Sequence, residues 1–290
     1  MYIPDPDTLR DLFLAAFYAA VQAGRQVLNL MDSEDYQISM KSDNSPISLA
    51  DRMAHKTIGD FLMHTRIPVM SEEGRDILFE ERRSWDVLWI VDPLDGTRQF
   101  IKKRKEFTVN IALISAGLPV LGVIYAPAFG TMYFGHREIG SYRMTIDDLD
   151  ETLRYSFDDI VAKSVAMPSS IANKPKAYTI LASLNHTNQD TMKFIEKMKA
   201  RYGDVVVEQM GSSLKMCLLA DGLADVYARH TDTYEWDTAA AQAVLEGAGY
   251  SIKDIETGLS LIYNKESLTN PYFICEKNSG GLRSQLRIKN

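Results

Sequence analysis

The stretch from Trp89 to Thr97 reads Trp-Ile-Val-Asp-Pro-Leu-Asp-Gly-Thr, and it constrains this chain more than any other segment. An apolar run reads as a strand that delivers Asp92 and Asp95 to its end, where Pro93 and Gly96 set the turn. Two carboxylates held this close repel one another, so they make a poor salt-bridge arrangement. They suit a hard divalent cation, which takes oxygen ligands and offsets the repulsion. Thr97 then opens a short amphiphilic helix, and the amides of a helix start can receive a phosphate. The segment predicts a strand, turn and helix built for metal-assisted phosphate chemistry.

The same chemistry recurs elsewhere in the chain. Glu72 and Glu73 follow Ile67-Pro68-Val69-Met70, an apolar run that reads as a buried strand. Asp51 opens a helix whose positions Ala50, Met53, Ala54, Thr57, Ile58, Phe61 and Leu62 fall at helical spacing. Asp237 stands in Glu235-Trp236-Asp237-Thr238-Ala239, ahead of a helix ending near Gly247 and Gly249. Taken singly, Asp51 and Asp237 are well explained as helix caps. Taken together, the acidic segments form a pattern.

In order and chemistry they resemble the lithium-sensitive, magnesium-dependent phosphomonoesterases of the inositol monophosphatase superfamily. That signature is an Asp near a helix start, a Glu-Glu pair, Asp-Pro-(Ile/Leu)-Asp-Gly-Thr, and Trp-Asp-x-Ala-Ala. The resemblance runs from about Asp7 to about Cys275 and departs at Gly249-Tyr250, where Gly-Gly is usual. It implies an α/β chain with an α+β N-terminal half, folded as a layered αβαβα sandwich of the inositol monophosphatase/fructose-1,6-bisphosphatase type. It also implies Mg2+ as cofactor. One ion lies among Glu72, Asp92 and the carbonyl of Leu94, and a second is held by Asp92, Asp95 and Asp237. Some members hold a third, weaker ion near Glu72 that reaches Asp51 or Glu73 through water. Magnesium keeps several waters and takes few carboxylates, and two ions about 4 Å apart can support an in-line displacement by water. On the same resemblance Asp51 and Thr97 are catalytic, orienting that water and accepting its proton, while the Gly96 and Thr97 amides hold phosphate oxygens. Thr97 also reads as a helix cap, and both roles can coexist.

The segments 41–46, 100–103, 106–113 and 224–229, the Asn185-His186-Thr187 loop and Gly211-Ser212-Ser213-Leu214-Lys215 resemble the 3′(2′),5′-bisphosphate nucleotidase branch. There Ser212, Lys215 and Arg229 would surround the second phosphate of a nucleotide, with Asp237 bordering the substrate. Lys215 lies in an otherwise apolar helix and Arg229 ends a buried-looking strand. Two cations approaching one cleft call for an anion, and each is expected to face water in the free protein because a buried cation without an anion is costly. His186 reads equally as a substrate contact and as a loop histidine. The implied reaction removes the 3′-phosphate of adenosine 3′,5′-bisphosphate to give AMP and phosphate, with 3′-phosphoadenylyl sulfate as a second substrate and a link to sulfur assimilation. An inositol-phosphate or sugar-phosphate phosphatase is the alternative within the superfamily. From another class, the alternative is a catalytically silent nucleotide-binding module, against which the full set Asp51, Glu72, Asp92, Asp95, Thr97 and Asp237 stands.

The formal charge of −7 argues against a nucleic-acid polymer as partner and leaves room for a small anionic nucleotide. There is no Gly-x-Ser-x-Gly elbow, P-loop or dinucleotide fingerprint. Cys217 and Cys275 sit apart in apolar runs and read as buried thiols of a reducing compartment. With no signal-like start and no apolar run near the ~20 residues of a membrane span, the expectation is a soluble cytoplasmic protein, contact with the inner membrane face staying open. No sequence feature sets an oligomeric state.

The organisation expected is an N-terminal half, 1–140, an acidic connecting segment, 141–177, and a C-terminal α/β half, 178–290. The first half starts with a helix from about Asp7 to Leu30 and contains an antiparallel meander. Its strand Phe107–Leu113 alternates in polarity as a half-buried strand would. From Tyr178 strands and helices alternate, which predicts helices covering a sheet. The acidic cluster Asp147, Asp148, Asp150, Glu151, Asp158 and Asp159 reads as solvated surface, and the tail from Lys277 as a mobile end.

Overall fold

The computed structural model describes residues 5–33, 37–40, 46–136, 139–146, 154–169, 177–184 and 188–278. The expectations for 41–45, most of the acidic cluster, the loop bearing His186 and most of the tail lie outside these residues.

Helix α1 (Pro6–Ser33) is followed by a small ladder of β1 (Ser39–Met40) and β2 (Pro46–Ile47) and by α2 (Leu49–Leu62). Next come β3 (Val69–Ser71), α3 (Phe79–Arg82), β4 (Val87–Asp95), the short α4 (Thr97–Ile101) and the hairpins of β5 (Thr108–Ser115), β6 (Leu118–Ala126), β7 (Thr131–His136) and β8 (Gly140–Thr145). After α5 (Phe157–Ala162), β9 (Val165–Met167) completes a seven-stranded sheet in sequential order from β3 to β9. Only β3 and β4 pair in parallel in that sheet. The expected meander is present. The stretch 141–177 read as a connector supplies most of β8, all of β9 and α5, whose Phe157 ring meets Phe13 of α1 edge-on at 5.1 Å.

The second part alternates as expected: β10 (Tyr178–Ser183), α6 (Gln189–Tyr202), β11 (Val205–Met210), α7 (Leu214–Ala220), β12 (Val226–Arg229) and α8 (Glu235–Gly247). It ends with β13 (Tyr250–Asp254) and β14 (Phe273–Lys277). The five strands run in the order β11-β10-β12-β14-β13. Gly249, at φ 86°, makes the turn from α8 into β13, so the departure at Gly249-Tyr250 falls at a helix-to-strand junction.

Two main cores separate the layers. One lies between α1 and α2 and one face of the large sheet, through Phe13, Phe17, Ile58, Val109, Ile111 and Leu113. The other lies between that sheet's opposite face, α7, α8 and the small sheet, through Ala112, Ile114, Leu219, Val244, Ile252 and Phe273. A third, smaller cluster packs α6 on the outside of the small sheet. The order is helix, sheet, helix, sheet, helix. Strand β5 therefore has both faces covered and every residue buried, not half of them. Its alternating polarity records two different neighbours rather than core and solvent. Gly122 of β6 shows how tightly α8 fits, since a Cβ there would overlap the Ala240 carbonyl. Among the described residues no helix is long and apolar enough to cross a membrane.

Candidate active site

The acidic residues converge where β3 and β4 end and α2, α4 and α8 begin. The pairing of β4 with β5 shifts register between Asp92 and Asp95, and the Leu94 amide donates to Asp92 Oδ1 at 3.1 Å. Gly96 turns the chain at φ 100°, and a Cβ there would sit 2.9 Å from the Glu106 carbonyl oxygen, so glycine is required. Asp51 Oδ2 accepts from the Ser48 amide and hydroxyl, each at 2.6 Å, which closes a capping box on α2. Its other oxygen, Oδ1, accepts from the Thr97 hydroxyl at 2.8 Å. Asp237 Oδ2 likewise takes the Tyr234 amide at 2.8 Å at the start of α8. In both residues the cap uses one oxygen, which leaves the other for a different partner.

One ligand oxygen each from Asp92, Asp95 and Asp237 lies within 4.8 Å of the others. Glu72 follows β3, its amide bonded to the Val91 carbonyl at 3.1 Å, and lines the same cavity as these three and Leu94. Asp92 is buried, and its Oδ2 has no hydrogen-bond partner among the described residues. Burial, then the charges of Glu72, Asp95 and Asp237, push its carboxyl well above the usual range. Asp237 is pushed up to about 8 by burial, with Asp95 and Glu72 adding to the rise and the Tyr234 amide and Arg229 opposing it. A cluster that holds protons this tightly needs a cation to ionise near neutrality. Its donors are all hard oxygens and one is a buried carboxylate oxygen without a donor, so the residues fit Mg2+.

The cavity, about 310 Å³, has a cationic wall as well. Lys215 is 4% exposed and donates to the carbonyls of Met210 at 3.2 Å and Ser212 at 2.7 Å, with its ammonium 5.3 Å from the centre of the Tyr227 ring. Burial pushes it down to about 8, with Asp95 pulling it up and Arg229 pushing it further down. Arg229, 9% exposed, donates to Ser183 Oγ at 2.5 Å and to the carbonyls of Thr231 and Asp232, each at 3.3 Å. Both cations line the cavity, as expected, but each is largely buried and already has protein partners. Those partners are backbone carbonyls, with one hydroxyl for Arg229. Ser212 lines the cavity in the left-handed region at φ 50°, and Gly96, Thr97 and Asp237 line it too. His186 lies outside the described residues.

Sequence reading passed over Ser213 and Asn110. Ser213 is fully buried and joins Asp95 to the helix bearing Asp237. Asn110 donates to Ser213 Oγ at 2.9 Å. In sequence Asn110 passes as the polar face of a half-buried strand, and only the burial of β5 on both faces singles it out. Nothing local distinguished Ser213 from Ser212.

A profile of the inositol monophosphatase family matches residues 8–286. A 3′(2′),5′-bisphosphate nucleotidase CysQ of Buchnera aphidicola subsp. Acyrthosiphon pisum is 37% identical over 251 residues, 86% of each chain. Its namesake in Salmonella typhimurium is 36% identical over 258 residues, 88% of this chain and 95% of that one. The crystal structure of CysQ from Bacteroides thetaiotaomicron, described as a bacterial member of the inositol monophosphatase family, matches with a TM-score of 0.84 at 41% identity, covering 92% of this chain and 97% of that one. With the layers, the acidic cluster and these likenesses in agreement, the chain belongs to the inositol monophosphatase family.

Proposed function

We infer that this protein is a magnesium-dependent phosphomonoesterase that removes the 3′-phosphate of adenosine 3′,5′-bisphosphate, giving AMP and phosphate. One observation carries the reading: a single cavity is lined by the acidic cluster and also by Lys215 and Arg229. A polyol monophosphate needs the first wall only, whereas a nucleotide bisphosphate uses both. The relatives named as bisphosphate nucleotidases support the same choice. 3′-Phosphoadenylyl sulfate carries the same 3′-phosphate and is a second substrate on this reading, which ties the enzyme to sulfur metabolism.

Glu72, Asp92, Asp95, Asp237 and the Leu94 carbonyl would hold two magnesium ions, with a third, weaker one near Glu72. When bound, they supply charge neutralisation to the phosphate and acidify water. The chain's own part is orientation and proton transfer. The Thr97 hydroxyl donates to Asp51, so its oxygen is left as an acceptor for a water proton. Asp51 is held rigidly by Ser48 and can take the proton onward. The N–H groups of Gly96 and Thr97, at the start of α4, are offered to phosphate oxygens. On this reading residues 1–140 carry most metal ligands, while residues 178–290 supply Ser212, Lys215 and Arg229 for the second phosphate.

Phosphate release with Mg2+ from adenosine 3′,5′-bisphosphate, 3′-AMP, inositol 1-phosphate and fructose 1,6-bisphosphate tests this. The bisphosphate nucleotide should give the highest kcat/KM. Arg229→Ala should lower that value by roughly ten- to a hundredfold, the worth of about 1.5–3 kcal/mol for a charge-assisted contact, and scarcely touch 3′-AMP. Preference for inositol 1-phosphate, or equal losses on both nucleotides, would sink the substrate assignment.

A further inference from the structure

Ser213 sits at the junction of β11 and α7, yet its contacts reach three other elements. Its amide donates to Asp95 Oδ2 at 2.6 Å, and its hydroxyl lies 2.8 Å from the same oxygen and 3.1 Å from the Asp237 carbonyl. Asn110 of β5 donates its Nδ2 to that hydroxyl at 2.9 Å. Both side chains are 1% exposed. Chemistry sets the polarity of this chain of bonds, because a carboxylate only accepts and a serine hydroxyl has one proton to give. The proton goes to the acidic side and the Asn110 N–H fills a lone pair behind it. Two donors thus occupy Asp95 Oδ2, and no hydrogen bond reaches Oδ1 among the described residues.

Two further facts separate this from ordinary packing. Ser213 occupies the N-cap position of α7, but its side chain makes no capping bond. Asn110 Oδ1 is buried without a partner among the described residues, a cost that an apolar residue at this place in β5 would avoid. Ser213 forgoes a cap to reach Asp95, and Asn110 leaves its own oxygen unpaired to reach Ser213.

The structure assigns Ser213, steadied by Asn110, the positioning of Asp95: by holding Oδ2 the pair presents Oδ1 to Mg2+. This rests on the reading of the acidic cluster as a magnesium site. Ser213 comes from the later part of the chain and Asp95 from the earlier, so full affinity for the cation requires the two parts to be docked. Partners that orient a metal ligand are worth roughly 10–100-fold in affinity.

The test is Mg2+ titration of the metal-stripped, full-length protein by calorimetry, with melting temperature as a control. Ser213→Ala should raise the Mg2+ dissociation constant about ten- to a hundredfold while the metal-free melting point stays close to that of the unaltered protein. Asn110→Ala should shift the constant the same way by less, and it carries the test alone if Ser213→Ala does not fold. In an Asp95→Asn background, Ser213→Ala should have no further effect. An unchanged constant in a folded single variant, or the same loss with and without Asp95, overturns the assignment. Failure of the unaltered protein to bind Mg2+ overturns the cation reading itself, a separate and distinguishable result.

Discussion

On the proposed reading, Asp51, Asp92 and Thr97 act through single atoms. Asp51 divides its oxygens between the cap of α2 and the Thr97 hydroxyl, so its orientation is set by a helix start and not by substrate. Thr97→Val removes the hydroxyl with little change of shape. It should lower kcat by roughly 10²–10⁴-fold, the usual worth of general-base assistance, with little change in KM, as steady-state kinetics at saturating Mg2+ would show. A pure KM effect would move Thr97 into the binding set. Asp92→Asn should reduce turnover to background, since its carboxylate is the most deeply buried of the cluster. At about pH 8 its metal-free melting point should rise, because one of several repelling carboxyls is gone. Near-native turnover would remove Asp92 from the ligand set.

Strand β4 and helix α8 set the geometry of the cluster at the next scale. The register shift at the end of β4 separates Asp92 from Asp95, and α8 brings Asp237 to them only because it lies flat on β6 and β7. Gly122→Ala forces a methyl group against the α8 backbone at Ala240. Overpacking of this kind costs about 1–3 kcal/mol, so the melting temperature should fall. Mg2+ affinity should weaken with it as Asp237 is displaced. Calorimetry on the folded variant checks both, and a melting point equal to that of the unaltered protein would mean the layer gap is softer than it looks. Lys215 belongs to this scale too. Its bonds to Met210 and Ser212 brace the loop that delivers Ser213, so Lys215→Met should weaken 3′-AMP hydrolysis as well as that of the bisphosphate, with the larger loss on the bisphosphate.

For the whole molecule, the stacked layers enclose acids that ionise reluctantly, which makes stability depend on pH and metal together. Asp92 and Asp237 have carboxyls raised above their unfolded values, so the folded chain binds protons more tightly than the unfolded one. The stability they contribute is fully present below about pH 4, the ordinary carboxylate range. It is lost as pH rises through about 8, where Asp237 titrates. Metal-stripped protein should therefore melt at progressively lower temperature between about pH 5 and pH 8. Added Mg2+ should flatten that slope by replacing the protons. Thermal scans with chelator or Mg2+ at three pH values would show it, and a metal-free melting point that climbs over this window would contradict the charge clustering.

Sequence by itself determined what is short-range. The Asp92–Thr97 turn, the capping parts of Asp51 and Asp237 and the helix periodicity of α2 follow from φ preferences and hydrogen bonds within a few residues, so they were legible before any fold. The cap positions themselves fall three residues earlier, at Ser48 and Tyr234. Alternation of strands and helices after Tyr178 was legible for the same reason. Four things needed the tertiary structure. The Thr97–Asp51 bond spans 46 residues and the Ser213–Asp95 bonds span 118, so no local spacing encodes them. Burial of β5 on both faces and of the Lys215 ammonium arises because α7 and α8 are sandwiched between two sheets. Residue pattern tells which atoms want a partner; only the stacking of layers decides whether that partner is water, a carbonyl or a carboxylate.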